Sequence, residues 1–221
     1  MSAAEPKTYF LATSGGPISQ RFAAQVLENG DRLLLWETQK GVLGLDSSKS
    51  VIRAAGVSQV AGLLVKGKQK FGHVHGFVND VDSMPVLGSY LSRTAVKSPM
   101  LELNRQQIAR FLATGIGAIV NIAGSFGSVA DHHDSLYNAK ISETAGLTSA
   151  LAKEFGRNKV RLNAIRPGVI RGDHWSEVED DTVIRQSNAS WTYVEPDSIC
   201  RAIWWLLQDD CPVNGQVITV D

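Results

Sequence analysis

The sequence predicts an α/β fold, a doubly wound parallel sheet of about seven strands with helices on both faces. Three observations predict it. Seven short apolar runs recur along the 221 residues, amphipathic helical spacing fills most of the gaps between them, and no linker, repeat or low-complexity tract divides the chain. Strands joined through helices run parallel, because each crossover returns the chain to the same end of the sheet. Residues 1–221 therefore read as a single domain.

Tyr9–Thr13 opens the series as a continuous apolar strand, the pattern of burial on both faces. Phe22, Val26 and Leu27 follow at helical spacing and stop at the breaker pair Asn29-Gly30. Arg32–Glu37 and Ser50–Ala55 are the next strands. Only the stretch Thr38–Lys49 joins them, close to the minimum for a helical crossover, so no full-length helix is expected there. The sheet face left bare must then be covered by the adjacent loop or by a partner subunit. His75–Asn79 is the fourth strand. Pro85, Gly88 and Pro99 interrupt the segment that follows, so the next helix starts near Leu101 and presents Ile108, Phe111 and Leu112 before Gly115. Ala118–Gly124 precedes a helix marked by Tyr137, Ile141, Thr144, Leu147 and Leu151. Val160–Ile165, a helix carrying Ile199, Ile203 and Leu206 after Pro196-Asp197, and the strand Gln216–Asp221 complete the order.

Charge narrows the function classes. Lys and Arg number 22 against 22 Asp and Glu, so no global field draws the chain to nucleic acid or an anionic membrane. Small molecules and copies of itself are the expected partners. No apolar run approaches the ~20 residues of a membrane span, and Met1–Lys7 lacks the pattern of a signal peptide, so the chain reads as cytoplasmic. Cys200 and Cys211 are too few for a disulfide scaffold and read as reduced core residues.

Gly117-Ala-Ile-Val-Asn-Ile-Ala-Gly124, Tyr137-Asn-Ala-Lys140 with Gly146-Leu-Thr148, and Val160-Arg-Leu-Asn-Ala-Ile-Arg-Pro-Gly168 follow one another at characteristic spacing. Phe71-Gly72 precedes Asn79, and Asn214–Asp221 closes the chain. By these blocks the sequence resembles the short-chain dehydrogenase/reductase family over nearly its whole length. The resemblance implies a Rossmann-like, three-layer α/β/α fold of strand order 3-2-1-4-5-6-7, a nicotinamide dinucleotide, and homodimers or homotetramers formed through helices at 101–114 and 137–155. It also implies cofactor contacts at Asn79, Pro167 and Gly168.

The first turn departs from the family's T-G-x-x-x-G-x-G, whose glycines admit a pyrophosphate to a helix N-terminus. Its glycine positions hold Ser14, Ile18 and Gln20, leaving Gly15 and Gly16 to form the turn and Pro17 to start the helix. Glu37 ends the second strand 22 positions after Gly15, where an acid accepts the adenosine ribose hydroxyls. A cofactor held there would be NAD, because the carboxylate repels a 2′-phosphate.

The chemistry that the resemblance implies needs a Tyr acid/base, a Lys four residues on, a Ser near the carbonyl and a relay Asn. Tyr137 matches, and Gly146 nine residues later fixes the register. The Lys position falls on Ile141, with Lys140 one residue early and about 100° around the helix. The Ser position falls on Gly124, so Ser125 substitutes only if the chain turns there. No Asn lies at 96–98. Asp131-His132-His133-Asp134 reads as a polar loop sooner than a metal cluster. Trp175, Trp191 and Tyr193 suit packing or a substrate lid, and one indole of Trp204-Trp205 faces the core.

Two readings result. In the first, hydride passes between NAD(H) and a small carbonyl or alcohol, with Tyr137 as general acid and Ser125 polarising the oxygen. In the second, the chain is a catalytically silent binding or regulatory protein, or a non-redox enzyme that keeps Tyr137 without a nicotinamide.

Overall fold

The computed structural model describes residues 5–38, 41–56, 59–81, 99–124, 135–170 and 189–221, with backbone alone at 135–140. Seven parallel strands form its sheet: β1 (Thr8–Thr13), β2 (Arg32–Glu37), β3 (Val51–Ala55), β4 (Gly76–Asp80), β5 (Gly117–Ile122), β6 (Val160–Pro167) and β7 (Val217–Val220). Their order is β3-β2-β1-β4-β5-β6-β7. The order reverses between β1 and β4, and that switch point opens a crevice at the C-terminal ends of the strands.

Alternation along the strands divides the core in two. Tyr9, Leu11, Leu33, Leu35, Val78 and Val120 face one side and pack against α1 (Pro17–Glu28) and the last helix, α5 (Pro196–Leu207). Phe10, Leu34, Trp36, Phe77 and Ile119 face the other and meet α2 (Val60–Phe71), α3 (Pro99–Thr114) and α4 (Ser135–Phe155). α1 starts on Pro17, where no N–H is required, and buries Ile18, Phe22, Ala23 and Val26 at helical spacing. α5 likewise starts on Pro196 and buries Ile199, Cys200, Ile203 and Leu206. Arg161 on β6 donates to the carbonyls of Leu206 and Gln208 at 2.7 and 2.6 Å, placing a cation at the α5 C-terminus. Trp204 packs on Tyr9 and Phe22, and Trp205 is exposed.

Strand ends move by one or two residues from those read in the sequence, and α3 begins at Pro99. The short β2–β3 connection contains no helix among its described residues. Its Leu43 and Leu45 instead pack onto the α1-side core, so a loop covers the face that a helix would have covered. A cleft of about 520 Å³ lies between the loop, β3 and α2, lined by Ser48, Ile52, Lys66 and Lys70, at the opposite end of the strand from the switch point. No helix among the described residues is long and apolar enough to cross a membrane.

Candidate functional site

Strand register fixes the site's floor. Thr13 pairs with both Glu37 and Asp80, so these three side chains stand in one row across β2, β1 and β4 at the C-terminal edge. Each follows the alternation of its strand onto the face that carries α1.

Gly15 and Gly16 turn the chain from β1 into α1 with φ of +103° and +107°, values that favour glycine. The turn is closed by side chains. The Gly15 amide donates to Thr13 Oγ1 at 2.8 Å, Thr13 donates to Ser19 Oγ at 2.6 Å, and Ser19 donates to a carboxylate oxygen of Asp80. Thr13 and Ser19 are fully buried. α1 has no acidic residue in its own first turn, so Asp80 brings the negative charge that this helix end attracts. Ile18, at a family glycine position, points into the core.

Glu37 is 0% exposed. Arg53 on β3 donates to Glu37 Oε2 at 2.7 Å, and the amides of Gly41 and Leu43 donate to its two oxygens at 3.3 and 3.1 Å. The same loop lays Val42 against Gly15, where an added Cβ would overlap Val42 Cγ1.

Asn79 lies on the opposite face, also fully buried. It donates to Gln107 Oε1 at 2.8 Å and Asn121 Oδ1 at 2.9 Å, and accepts from Gln107 Nε2 at 2.6 Å. Asn121 continues the network to Asn104 at 3.2 Å and Thr148 at 3.0 Å. These amides tie β4 and β5 to α3 and α4 beneath the crevice. Asn79 thus braces the site's walls in this structure.

Pro167 ends β6 beside Val220, and the Gly168 amide donates to Val220 at 2.9 Å, which puts both at the C-terminal edge. Gly124 has φ +71°, a value that favours glycine. Ser125 itself lies outside the described residues, as do Asp131–Asp134 and Trp175. Tyr137 and Lys140 fall in the opening turns of α4. Trp191 is 65% exposed with φ +56°, Tyr193 is half-buried, and Cys200 and Cys211 are buried free thiols. Burial pushes the Cys200 thiol up to about 12.

Ser19, Val42, Arg53 and Asp80 went unread in the sequence. Asp80 carried a signal, since it follows Asn79 where the family writes a second Asn. Tested against the family's dinucleotide, the crevice between β1 and β2 does not fit it. The ribose acceptor is enclosed, the turn is packed against Val42, and an internal carboxylate stands at the helix end that would receive a phosphate.

The family described as enoyl-(acyl carrier protein) reductase matches residues 54–221, a span that begins within β3. Carbonyl reductase family member 4 of Xenopus laevis is 30% identical over 48% of this chain and 44% of its own. The chain thus spans less than half the length of that relative. A 3alpha-hydroxysteroid dehydrogenase of Mediterraneibacter gnavus is 25% identical over 97% of this chain and 96% of its own. The fold of an actinorhodin polyketide ketoreductase, solved with NADPH, superposes with a TM-score of 0.78 at 18% identity, covering 100% of this chain and 97% of that one. Fold, strand order and the matched span agree, and the chain belongs to the short-chain dehydrogenase/reductase family.

Proposed function

We propose that the chain binds a small carbonyl- or hydroxyl-bearing molecule at the C-terminal edge of its sheet and has left the family's nicotinamide hydride transfer. Tyr137 serves there as hydrogen-bond and proton donor. One observation carries the reading: the Gly15–Thr13–Ser19–Asp80 chain of hydrogen bonds ends on a carboxylate at the first turn of α1. A helix N-terminus attracts one anion through its unpaired amides and its dipole. With Asp80 there, a pyrophosphate meets a like charge where the family offers it a positive field.

The ligand end of the crevice keeps the family's Tyr and its Pro-Gly block, while the Lys and Ser positions hold Ile141 and Gly124. Tyr137 opens α4, Pro167-Gly168 closes β6, and the buried amides of Asn79, Asn104, Gln107 and Asn121 stiffen the strands and helices between them. A phenol of ordinary pKa, about 10, is protonated at neutral pH, which suits donation to a ligand oxygen.

The NAD(H) reading, with Tyr137 as general acid in carbonyl reduction, is favoured by the Tyr137–Gly146 register and by the family itself. NADH and NADPH titrations followed by nicotinamide fluorescence separate the two. The binding reading expects no saturable change with either nucleotide and no oxidation of NADH by a panel of small aldehydes and ketones. Saturable NADH binding, with turnover abolished in Tyr137→Phe, would establish the redox reading instead.

The same proposal extends to self-association through α3, where Leu101 and Leu112, three turns apart, are each 45% exposed. Sedimentation should give a dimer or tetramer that Leu112→Glu weakens. A monomer at high concentration would refute this.

A further inference from the structure

We infer that the adenosine half of the crevice is filled by the chain itself, with Glu37 acting as the anchor of the β2–β3 loop. This goes beyond the proposed function, since a chain could still react with a nicotinamide while lacking any seat for adenosine.

The argument begins with the missing crossover helix. A connection too short for a helix must still cover the apolar α1-side face of β2 and β3, and Leu43 and Leu45 do so. To bring them down, the loop has to turn back over the strand ends. Glu37 fixes that turn by accepting both the Gly41 and Leu43 amides, one on each carboxylate oxygen. Arg53, 15% exposed at its side chain, neutralises the carboxylate at 2.7 Å and also reaches Asp46 at 3.4 Å. A carboxylate held by three internal donors and closed to solvent has no route to a ribose hydroxyl.

The position of Val42 follows from the same turn. It falls between the two anchored amides and rests on Gly15 so closely that even a methyl group there would overlap it. The Gly15 face is where a dinucleotide would cross from β1 toward β2. Loop, glycine and acid therefore form one closed unit over the β1–β2 side of the switch point. The loop cannot simply swing aside, because Leu43 and Leu45 would leave the core with it.

ADP-ribose, which carries the adenosine and pyrophosphate of the cofactor without the nicotinamide, is the direct probe. Calorimetric titration of the unaltered protein should give no saturable heat up to about 1 mM, the weak end of specific affinity. The Glu37→Gln variant, which keeps side-chain size but discharges the anchor, should melt several degrees lower and remain equally indifferent to ADP-ribose. Micromolar binding by the unaltered protein would overturn the inference whether or not the variant folds. An unchanged melting temperature in Glu37→Gln would overturn it as well, since an anchor with three buried partners cannot be discharged without cost. NADH turnover in a protein that ignores ADP-ribose would sink the proposed function and leave this inference standing.

Discussion

Replacing Asp80 by Asn tests the electrostatic core of the site with one atom's change. The substitution keeps the side-chain volume and an oxygen for the Ser19 hydroxyl, but removes the charge at the first turn of α1. A phosphate seated on that turn would lie roughly 6 Å from the carboxylate, and at an effective dielectric of about 20 a unit pair repels by about 3 kcal/mol. Removing that repulsion corresponds to about a 100-fold gain in anion affinity at low ionic strength. The helix loses a negative charge beside its first turn and one charge-assisted hydrogen bond, a cost of about 1–2 kcal/mol. Pyrophosphate titrations of both proteins at low and at 0.15 M salt, with thermal melts alongside, read both effects. The variant should bind pyrophosphate, lose part of that affinity in salt, and melt a few degrees lower. Equal affinities in the two proteins would show that the Asp80 charge does not govern the turn, and the binding reading would lose its main support.

Three further outcomes follow from the packing. Gly117→Ala should cost about 1–3 kcal/mol in chemical denaturation, because the new Cβ would overlap the Phe111 ring; the same change at Gly146, exposed on α4 with open space around it, should stabilise by up to about 1 kcal/mol. His75 accepts the Thr8 amide at Nδ1, and burial first, then the charges of His73 and Lys7, hold its pKa below the ordinary 6.5, with Asp209 opposing them. The unfolded chain therefore takes up a proton that the folded chain refuses as pH falls through about 6.5, so stability drops below that pH and His75→Asn should flatten the drop between pH 7 and 5. Cys200, buried with its thiol pushed up to about 12, should resist thiol reagents until the protein unfolds; rapid labelling of the native chain would contradict its placement.

The sheet was legible because its strands are buried on both faces and read as apolar runs, a local signal that survives in any register. The loop between β2 and β3 was legible for a different reason: twelve residues cannot hold a helix and two turns. What that loop does was not legible. Glu37 stands where the ribose acceptor of the family stands, and nothing local distinguishes an acid facing a ligand from one facing Arg53, whose position depends on β3 pairing beside β2 in this register. Asn79 illustrates the same limit from the other side. It stands at a family position, yet its partners Gln107 and Asn121 come from α3 and β5 and are brought to it by the pairing of Asn79 with Asn121. Asp80 was the residue that could have been read, because replacing an amide by an acid beside a helix N-terminus changes what that terminus can hold whatever the surrounding packing. Charge at a helix end acts through space on the first turn alone, so a sequence that fixes the strand and the turn already fixes its effect. The same reasoning sorts the departures: Ser14, Ile18, Gln20 and Asp80 belong to the β1–α1 turn and the strand end beside it, whereas Ile141 and Gly124 stand where the family places its Lys and its Ser. A family site that carries an internal carboxylate at its anion seat has lost the field that a pyrophosphate needs, and this is why the ligand proposed for it is smaller than a dinucleotide.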